Sequence, residues 1–406
     1  MLPRTEMKRT KPAYILDEER YKRFPVTNQA FVRVSYEDAG ELGYNLWLDK
    51  MMGNMARRVA LGEEGRLQQD NAMDIGANVL NLLLGNYGFP NYGYLKWNPM
   101  FAPEMFTHRR VELPAEKLTE MVKSAAELYG ADLTGVAVLN PKWIFSDDMT
   151  KPFVFTDGEN PEETEEAFLI PKSINRAVVM AVAMDGGMIE ESPKIAASMA
   201  TSIGYSRMGI AAVTLAEYIR SMGYHAIPCM NDTALSVPLA IDAGLGELGR
   251  HGILITPEYG SSVRLCKVLT DMPLIADEPI DTGIAEFCAH CLLCAKDCPS
   301  KAISYGEPTM EGPEITGNAG TLKWYIDGTK CLKFWQLNGA SCANCIAACP
   351  FTSGFLSIHC FECEKCETTR GCELQANTHK RIKYGYLKNA RWGEKSEMLR
   401  ARRLGL

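Results

Sequence analysis

The stretch Phe287–Pro299, FCAHCLLCAKDCP, sets Cys288, Cys291, Cys294 and Cys298 in a C-x2-C-x2-C-x3-C-P run. No other part of the chain constrains its folding as tightly. A second run, CANCIAACP, supplies Cys342, Cys345 and Cys349, with Cys331 upstream of it. Of the 14 cysteines, all but Cys229 and Cys266 lie between positions 288 and 372. Such crowding reads as metal ligation rather than as a disulfide framework. Two proline-terminated runs fit a bacterial two-cluster ferredoxin module, in which the last cysteine of each run serves the other run's cluster. The reason is geometric: three cysteines on a tight loop hold three corners of a cubane, and the fourth corner faces the opposite segment. The expected ligand sets are therefore Cys288, Cys291, Cys294 and Cys349 for one 4Fe–4S cluster, and Cys298, Cys331, Cys342 and Cys345 for the other. A zinc site would use a single set without the matching pair. Cys360, Cys363, Cys366 and Cys372 follow in the tail without a closing C-P, so free thiols and a further metal site both stand as readings.

A cluster module near the end of 406 residues needs something upstream that consumes or supplies electrons. That length allows two or three domains with sizeable cores. The net charge of −7 argues against a nucleic-acid partner, which would want a basic face. No apolar run approaches the roughly 20 residues that cross a bilayer.

Residues 1–112 are rich in Met, Asn, Tyr and Trp and read as a covering segment with an aromatic-rich loop. Within it, LGYNLWLDKMMGNMARR has the pattern of an amphipathic helix. Regular alternation begins at Leu113. LPAEKLTEMVKSAAELYGA is helical with an early proline. DLTGVAVLN, NRAVVMAVAMD, YHAIPC, GILI and VRLCKVLTD are strand-like. The run from Ser192 to His225 is one long helix, or two joined at Gly204, ending at Gly223. This pattern predicts a three-layer α/β or α+β core over 113–285, a ferredoxin-like domain over 286–355 and a cysteine-containing tail over 356–406. GLGELG (residues 244–249) has the G-x-G-x-x-G spacing but does not follow a strand-like run, and no Walker A run is present; the glycines of AGLGELGRHG serve a tight turn or admit a large planar ligand.

The order GYSRMG, HAIPCMNDTALSVPLAIDAGLGELGRHGILITPEYGSSVRLCKV, FCAHCLLCAKDCP and CLKFWQ…CANCIAACP resembles the respiratory reductive dehalogenases, corrinoid and iron–sulfur enzymes that remove halogen from organohalides. The resemblance runs from about residue 130 to 355. It implies a nitroreductase-like corrinoid-binding core and places the family's catalytic tyrosine on Tyr205, its pocket asparagine on Asn231, its arginine on Arg264 and an aromatic pocket wall on Trp335. The chemistry is consistent: R–X + 2e⁻ + H⁺ gives R–H + X⁻. A phenol alone is a poor acid in water, and a neighbouring arginine would stabilise the phenolate.

No D-x-H-x-x-G run is present to offer a lower histidine ligand, in keeping with the family's base-off corrinoid. Residues 231–260 are the candidate cradle, with Thr233, Ser236, Gly244, Gly246 and Tyr259 as contacts. Trp47, Phe89, Tyr94 and Trp97 are either pocket aromatics, which would favour a short chlorinated hydrocarbon, or equally core residues. The resemblance also implies an upstream electron donor, a small membrane-anchor subunit and a place on the outer face of the cytoplasmic membrane, reached with a leader absent from this sequence. A homodimer is compatible with it. The competing readings are an epoxyqueuosine reductase-like tRNA-modifying corrinoid enzyme, an iron–sulfur electron-transfer subunit and a corrinoid-activating protein.

Overall fold

The computed structural model describes residues 13–36, 44–84, 95–102, 104 and 108–352. The tail cysteines Cys360, Cys363, Cys366 and Cys372, together with Phe89 and Tyr94, lie outside these residues. In chain order the helices α1 (Ala30–Tyr36), α2 (Tyr44–Ala60), α3 (Gln68–Leu84) and α4 (Ala115–Leu128) lead into β1 (Leu133–Val138). Then come β2 (Phe153–Thr156), β3 (Glu162–Glu163), β4 (Phe168–Pro171), β5 (Arg176–Ala183), α5 (Gly186–Glu190) and α6 (Ile195–Ser221). β6 (Ala226–Cys229), α7 (Ser236–Asp242), β7 (Glu247–Leu248), β8 (Leu254–Ile255) and β9 (Val263–Thr270) complete the core. The cysteine region carries α8 (Ile284–His290), α9 (Leu293–Asp297), α10 (Gly328–Asn338) and α11 (Asn344–Ala347).

The central sheet has the order β1-β5-β9-β6, and every pair in it is antiparallel. The expected α/β or α+β, three-layer core is therefore found in its α+β form. β5 explains why: its run AVVMAVA is β-branched and apolar on both faces, which suits a strand covered on both sides. Val178, Met180, Val182, Cys266 and Val268 face one layer, packing on Leu118 and Val122 of α4 and on Met208, Leu215 and Ile219 of α6. Ala177, Val179, Ala181, Leu265 and Leu269 face the other, where Leu239 and Ala240 of α7 close the layer. Leu118 is wholly buried, and a leucine so placed contributes about 1.5–3 kcal/mol.

α6 is continuous through Gly204 rather than broken there. The glycine has a packing reason: a Cβ at this position would lie 2.9 Å from Cγ of Arg264 and 3.2 Å from Cγ of Met184. It lets the Arg264 stem cross the helix.

The first 112 residues tie the core to the cysteine region. Trp47 donates through Nε1 to the Leu332 carbonyl at 3.2 Å, and Asn54 donates to Gln336 O at 3.0 Å. Arg66 donates to Asn338 O at 2.9 Å and to Pro193 O at 2.7 Å. Trp47 and Trp97, open from the sequence to pocket or core, are core residues. Trp47 is 4% exposed against Leu332, and Trp97 packs on Phe168 with ring centroids 5.3 Å apart. α3 was not evident in the sequence, because its buried face is polar. Asp74 accepts from Ser198 at 3.0 Å and Ser202 at 2.7 Å of α6, and Ala77 O accepts from Ser206 at 2.7 Å.

Candidate active site and cluster ligands

Tyr205 sits on the sheet-facing side of α6 and is 9% exposed. Asn231 follows β6, and Arg264 is the second residue of β9, paired with Val182. Three separate elements thus bring their side chains together. Asn231 donates through Nδ2 to the Tyr205 Oη at 2.9 Å, and Arg264 donates through Nη1 to the same oxygen at 3.3 Å. The guanidinium carbon lies 4.7 Å from the centre of the Tyr205 ring. Arg264 also donates through Nη2 to Thr201 Oγ1 at 3.4 Å, while its buried Nε has no hydrogen-bond partner among the described residues. No carboxylate among those residues pairs with it. Two donors converging on one phenolic oxygen, one of them cationic, stabilise charge on that oxygen once its proton has left.

The turn that presents Asn231 is held from beneath. Asp232, 1% exposed, accepts from Met230 N at 2.7 Å and from Thr233 Oγ1 at 2.9 Å, and Thr233 has φ +62°. Lys267, with no exposed surface, donates to Met230 O at 2.5 Å and to Ser236 Oγ at 3.1 Å. Burial drives both ionisable groups toward neutrality, raising the Asp232 carboxyl and lowering the Lys267 ammonium, while their mutual attraction opposes both shifts. Nothing in the run VRLCKVLTD marks Lys267 as buried.

The predicted corrinoid contacts fare differently. A Cβ on Gly244 would lie 2.5 Å from Glu278 O, and one on Gly246 would lie 2.1 Å from Ile255 O. These glycines admit the chain's own backbone. Thr233 and Ser236 turn their hydroxyls into the Asp232–Lys267 network. Tyr259 is partly buried, packing against the core. Trp335 lies one turn after Cys331 on α10, packed on Trp47 and Leu332 and 5.2 Å from the Phe31 ring centroid. The structure therefore groups it with the helices flanking the cysteine region.

The cysteines assemble as the spacing required. Cys288, Cys291, Cys294 and Cys349 line one small enclosed cavity together with Arg250, His251, Ile255, Phe287 and Phe351. Cys298, Cys331 and Cys345 meet around Ala302, Ile303 and Ile326, with Cys294 of the first set packed against the same group, and Cys342 bears on Cys331 and Cys345. Burial first, then mutual repulsion, pushes the Cys294 and Cys331 thiols up to about 12; burial also raises Cys349 to about 12 and Cys288 to about 11. Thiols that resist losing a proton to water lose it readily to iron, so the donor sets fit anionic iron–sulfur clusters. Among the described residues, no three His, Cys, Asp or Glu side chains converge as a single bound ion would require. Replacing Cys345 with alanine is expected to halve the iron of anaerobically reconstituted protein, from about eight to about four per chain, because one ligand set loses a corner. Iron analysis checks this, and unchanged iron would place Cys345 outside the ligand set.

An α+β core carrying an arginine-backed phenol is thus joined to a module with two groups of cysteines. Residues 105–274 match the family described as reductive dehalogenase subunit, and residues 287–353 match the 4Fe–4S dicluster domain. The tetrachloroethene reductive dehalogenase of Sulfurospirillum multivorans is 39% identical over 320 residues, covering 73% of this chain and 64% of that one. The enzyme of the same description from Dehalobacter restrictus is 37% identical over 268 residues, covering 58% and 48%. The chain thus spans about half to just under two thirds of the length of these relatives. A solved structure described as suggesting a mechanism for B12-dependent dehalogenation superposes with TM-score 0.61 at 25% identity, over 86% of this chain and 45% of that one. The catabolic reductive dehalogenase NpRdhA, N-terminally tagged, gives TM-score 0.60 at 24% identity over 86% and 45%. The chain thus carries a reductive dehalogenase subunit domain followed by a 4Fe–4S dicluster domain and is similar to the reductive dehalogenases over both.

Proposed function

We propose that this protein reductively removes halogen from a short chlorinated hydrocarbon, with chlorinated ethenes as the first substrates to try. Two 4Fe–4S clusters and a base-off corrinoid are its redox groups. The observation that carries the reading is the Tyr205 oxygen receiving hydrogen bonds from both Asn231 and Arg264, in a chain that also supplies two buried cysteine quartets. The names of the relatives support the substrate class.

A bound corrinoid would supply the low-potential electrons that break the carbon–halogen bond. The donor set around Tyr205 fits that chemistry, since the reduction consumes one proton at carbon. The Thr233 and Ser236 hydroxyls are engaged within the protein, and Gly244 and Gly246 face the chain's own backbone, so the cradle is not assigned to them. Tyr205 gives its phenolic proton to the carbon that loses halide. Arg264 holds the resulting phenolate by charge, and the Asn231 amide holds it by a hydrogen bond. Asp232 and Lys267 keep Asn231 in place beneath the phenol. Clusters held by the two cysteine quartets would supply the two electrons each turnover consumes, one at a time.

The runner-up is an iron–sulfur electron-transfer subunit. Metal analysis after anaerobic reconstitution with cobalamin separates the two. The proposal expects about one cobalt and about eight iron per chain, and iron without cobalt would leave the carrier standing. The same family reading carries the upstream donor, the small membrane anchor and the outer face of the cytoplasmic membrane as proposals. Among the described residues no helix is long and apolar enough to cross a membrane.

A further inference from the structure

The short hairpin of β7 and β8 ends in a turn, residues 249–253, that carries Arg250 and His251 into the cavity of the Cys288, Cys291, Cys294 and Cys349 quartet. Arg250 is 1% exposed. It donates through Nε to Cys288 O at 2.9 Å and through Nη2 to Ala289 O at 3.1 Å. Nη1 donates to Ser304 O at 3.0 Å and Gly306 O at 2.9 Å, and the guanidinium stands 4.6 Å from the Trp324 ring centroid. Every partner is a carbonyl or a ring; no carboxylate among the described residues pairs with this charge. A buried cation without an anion is costly. A thiolate-ligated 4Fe–4S cluster is anionic in both redox states and more so when reduced, so it supplies the missing counter-charge.

His251 adds a second donor. It is 4% exposed, and its Nδ1 accepts from the Ile253 N–H at 3.2 Å. The neutral ring then carries its proton on Nε2, and that buried nitrogen has no partner among the described residues. Gly249 makes room for the ring, since a Cβ there would lie 2.7 Å from His251 Cε1. The other quartet has opposite surroundings. Asp297 directly precedes Cys298, and Asp327 caps the helix bearing Cys331, its side chain accepting from Lys330 N at 2.9 Å and pairing with the exposed Lys330 ammonium at 2.9 Å. Glu247, 3% exposed, lies on the Arg250 side; its carboxylate accepts from Thr282 and Ile284, and its charge also bears on Cys288, opposing that of Arg250.

We infer that Arg250 and His251 make the Cys288–Cys291–Cys294–Cys349 cluster the more easily reduced of the two, so that it draws its electron from the Cys298–Cys331–Cys342–Cys345 cluster. A cation and an N–H donor beside a cluster stabilise the added electron, and nearby carboxylates oppose it. In the transfer, the second cluster gives up one electron, the first gains one, and no proton or bond changes hands. The inference rests on the two-cluster part of the reading above and is independent of the substrate.

The test is an electron paramagnetic resonance redox titration of the reconstituted full chain, poised with dithionite and mediators. Wild type should show two separate one-electron steps. Arg250→Gln should make the upper step at least about tenfold harder to reach, a fall of about 59 mV for one electron, and leave the lower step in place. Arg250→Lys, which keeps the charge, should stay near wild type. His251→Leu should lower the upper step alone, and it carries the test if Arg250→Gln fails to fold. Asp327→Asn should raise the lower step alone. About eight iron with steps that ignore these variants, or that move together, overturns the inference alone. About four iron overturns the two-cluster reading beneath it.

Discussion

Replacing Tyr205 with phenylalanine is expected to lower kcat for halide release by about 10²–10⁴-fold, the range a positioned general acid contributes. Iron and cobalt per chain should stay at wild-type values. The substitution removes one oxygen from a side chain that is 9% exposed and packed among Met208, Val182 and Cys266, so the ring remains to fill its space. What disappears is the shared acceptor of the Asn231 and Arg264 hydrogen bonds. Arg264→Gln should show a smaller fall with the tyrosine intact, because the phenolate then loses its cation but keeps the Asn231 amide. A steady-state assay with reduced viologen, following chloride, reads both variants. Equal rates for wild type and Tyr205→Phe would remove the tyrosine from the proton path.

The second large effect is on stability. Lys267→Met is expected to cost about 1–3 kcal/mol, the penalty of leaving buried hydrogen-bond acceptors without their donor. Lys267 has no exposed surface, and removing its ammonium leaves Met230 O and the Ser236 hydroxyl short of a donor and Asp232 without its nearby cation. A shifted denaturation midpoint with an unchanged slope would report this. The double variant Lys267→Met with Asp232→Asn should recover part of the loss, since the isolated buried carboxylate is gone. Because the same residues carry the turn that presents Asn231, the single variant should also slow halide release in whatever folded protein remains. A midpoint within experimental error of wild type would show that the turn holds itself.

Much of this architecture is written into the sequence in signals that depend on chemistry or strict period. The cysteine spacing has few physical meanings, and the quartets close as that spacing demands. The β-branched runs of β5 and β9 and the unbroken apolar course of α6 are equally direct. The sheet's antiparallel order was not accessible, since nothing local in a buried strand states which neighbour it takes. α3 escaped notice because its buried face bonds serines through Asp74 instead of packing an apolar stripe. The glycines of AGLGELGRHG suggested a ligand cradle, yet they make room for backbone and for a turn that aims Arg250 and His251 at a cluster. Charged residues in a glycine-rich stretch look like surface, and only the fold reveals these two as buried. Trp47 and Trp97 admit either reading from the sequence, and the fold places both in the interior.

The most direct test of the central claim is chloride released from tetrachloroethene by the anaerobically reconstituted chain, with reduced viologen as donor and cobalamin supplied. The account predicts catalytic chloride release that depends on both cobalamin and iron and is lost in Tyr205→Phe. Protein that holds both metals and passes electrons to an artificial acceptor, yet releases no chloride from this or any other short chlorinated hydrocarbon, would contradict it.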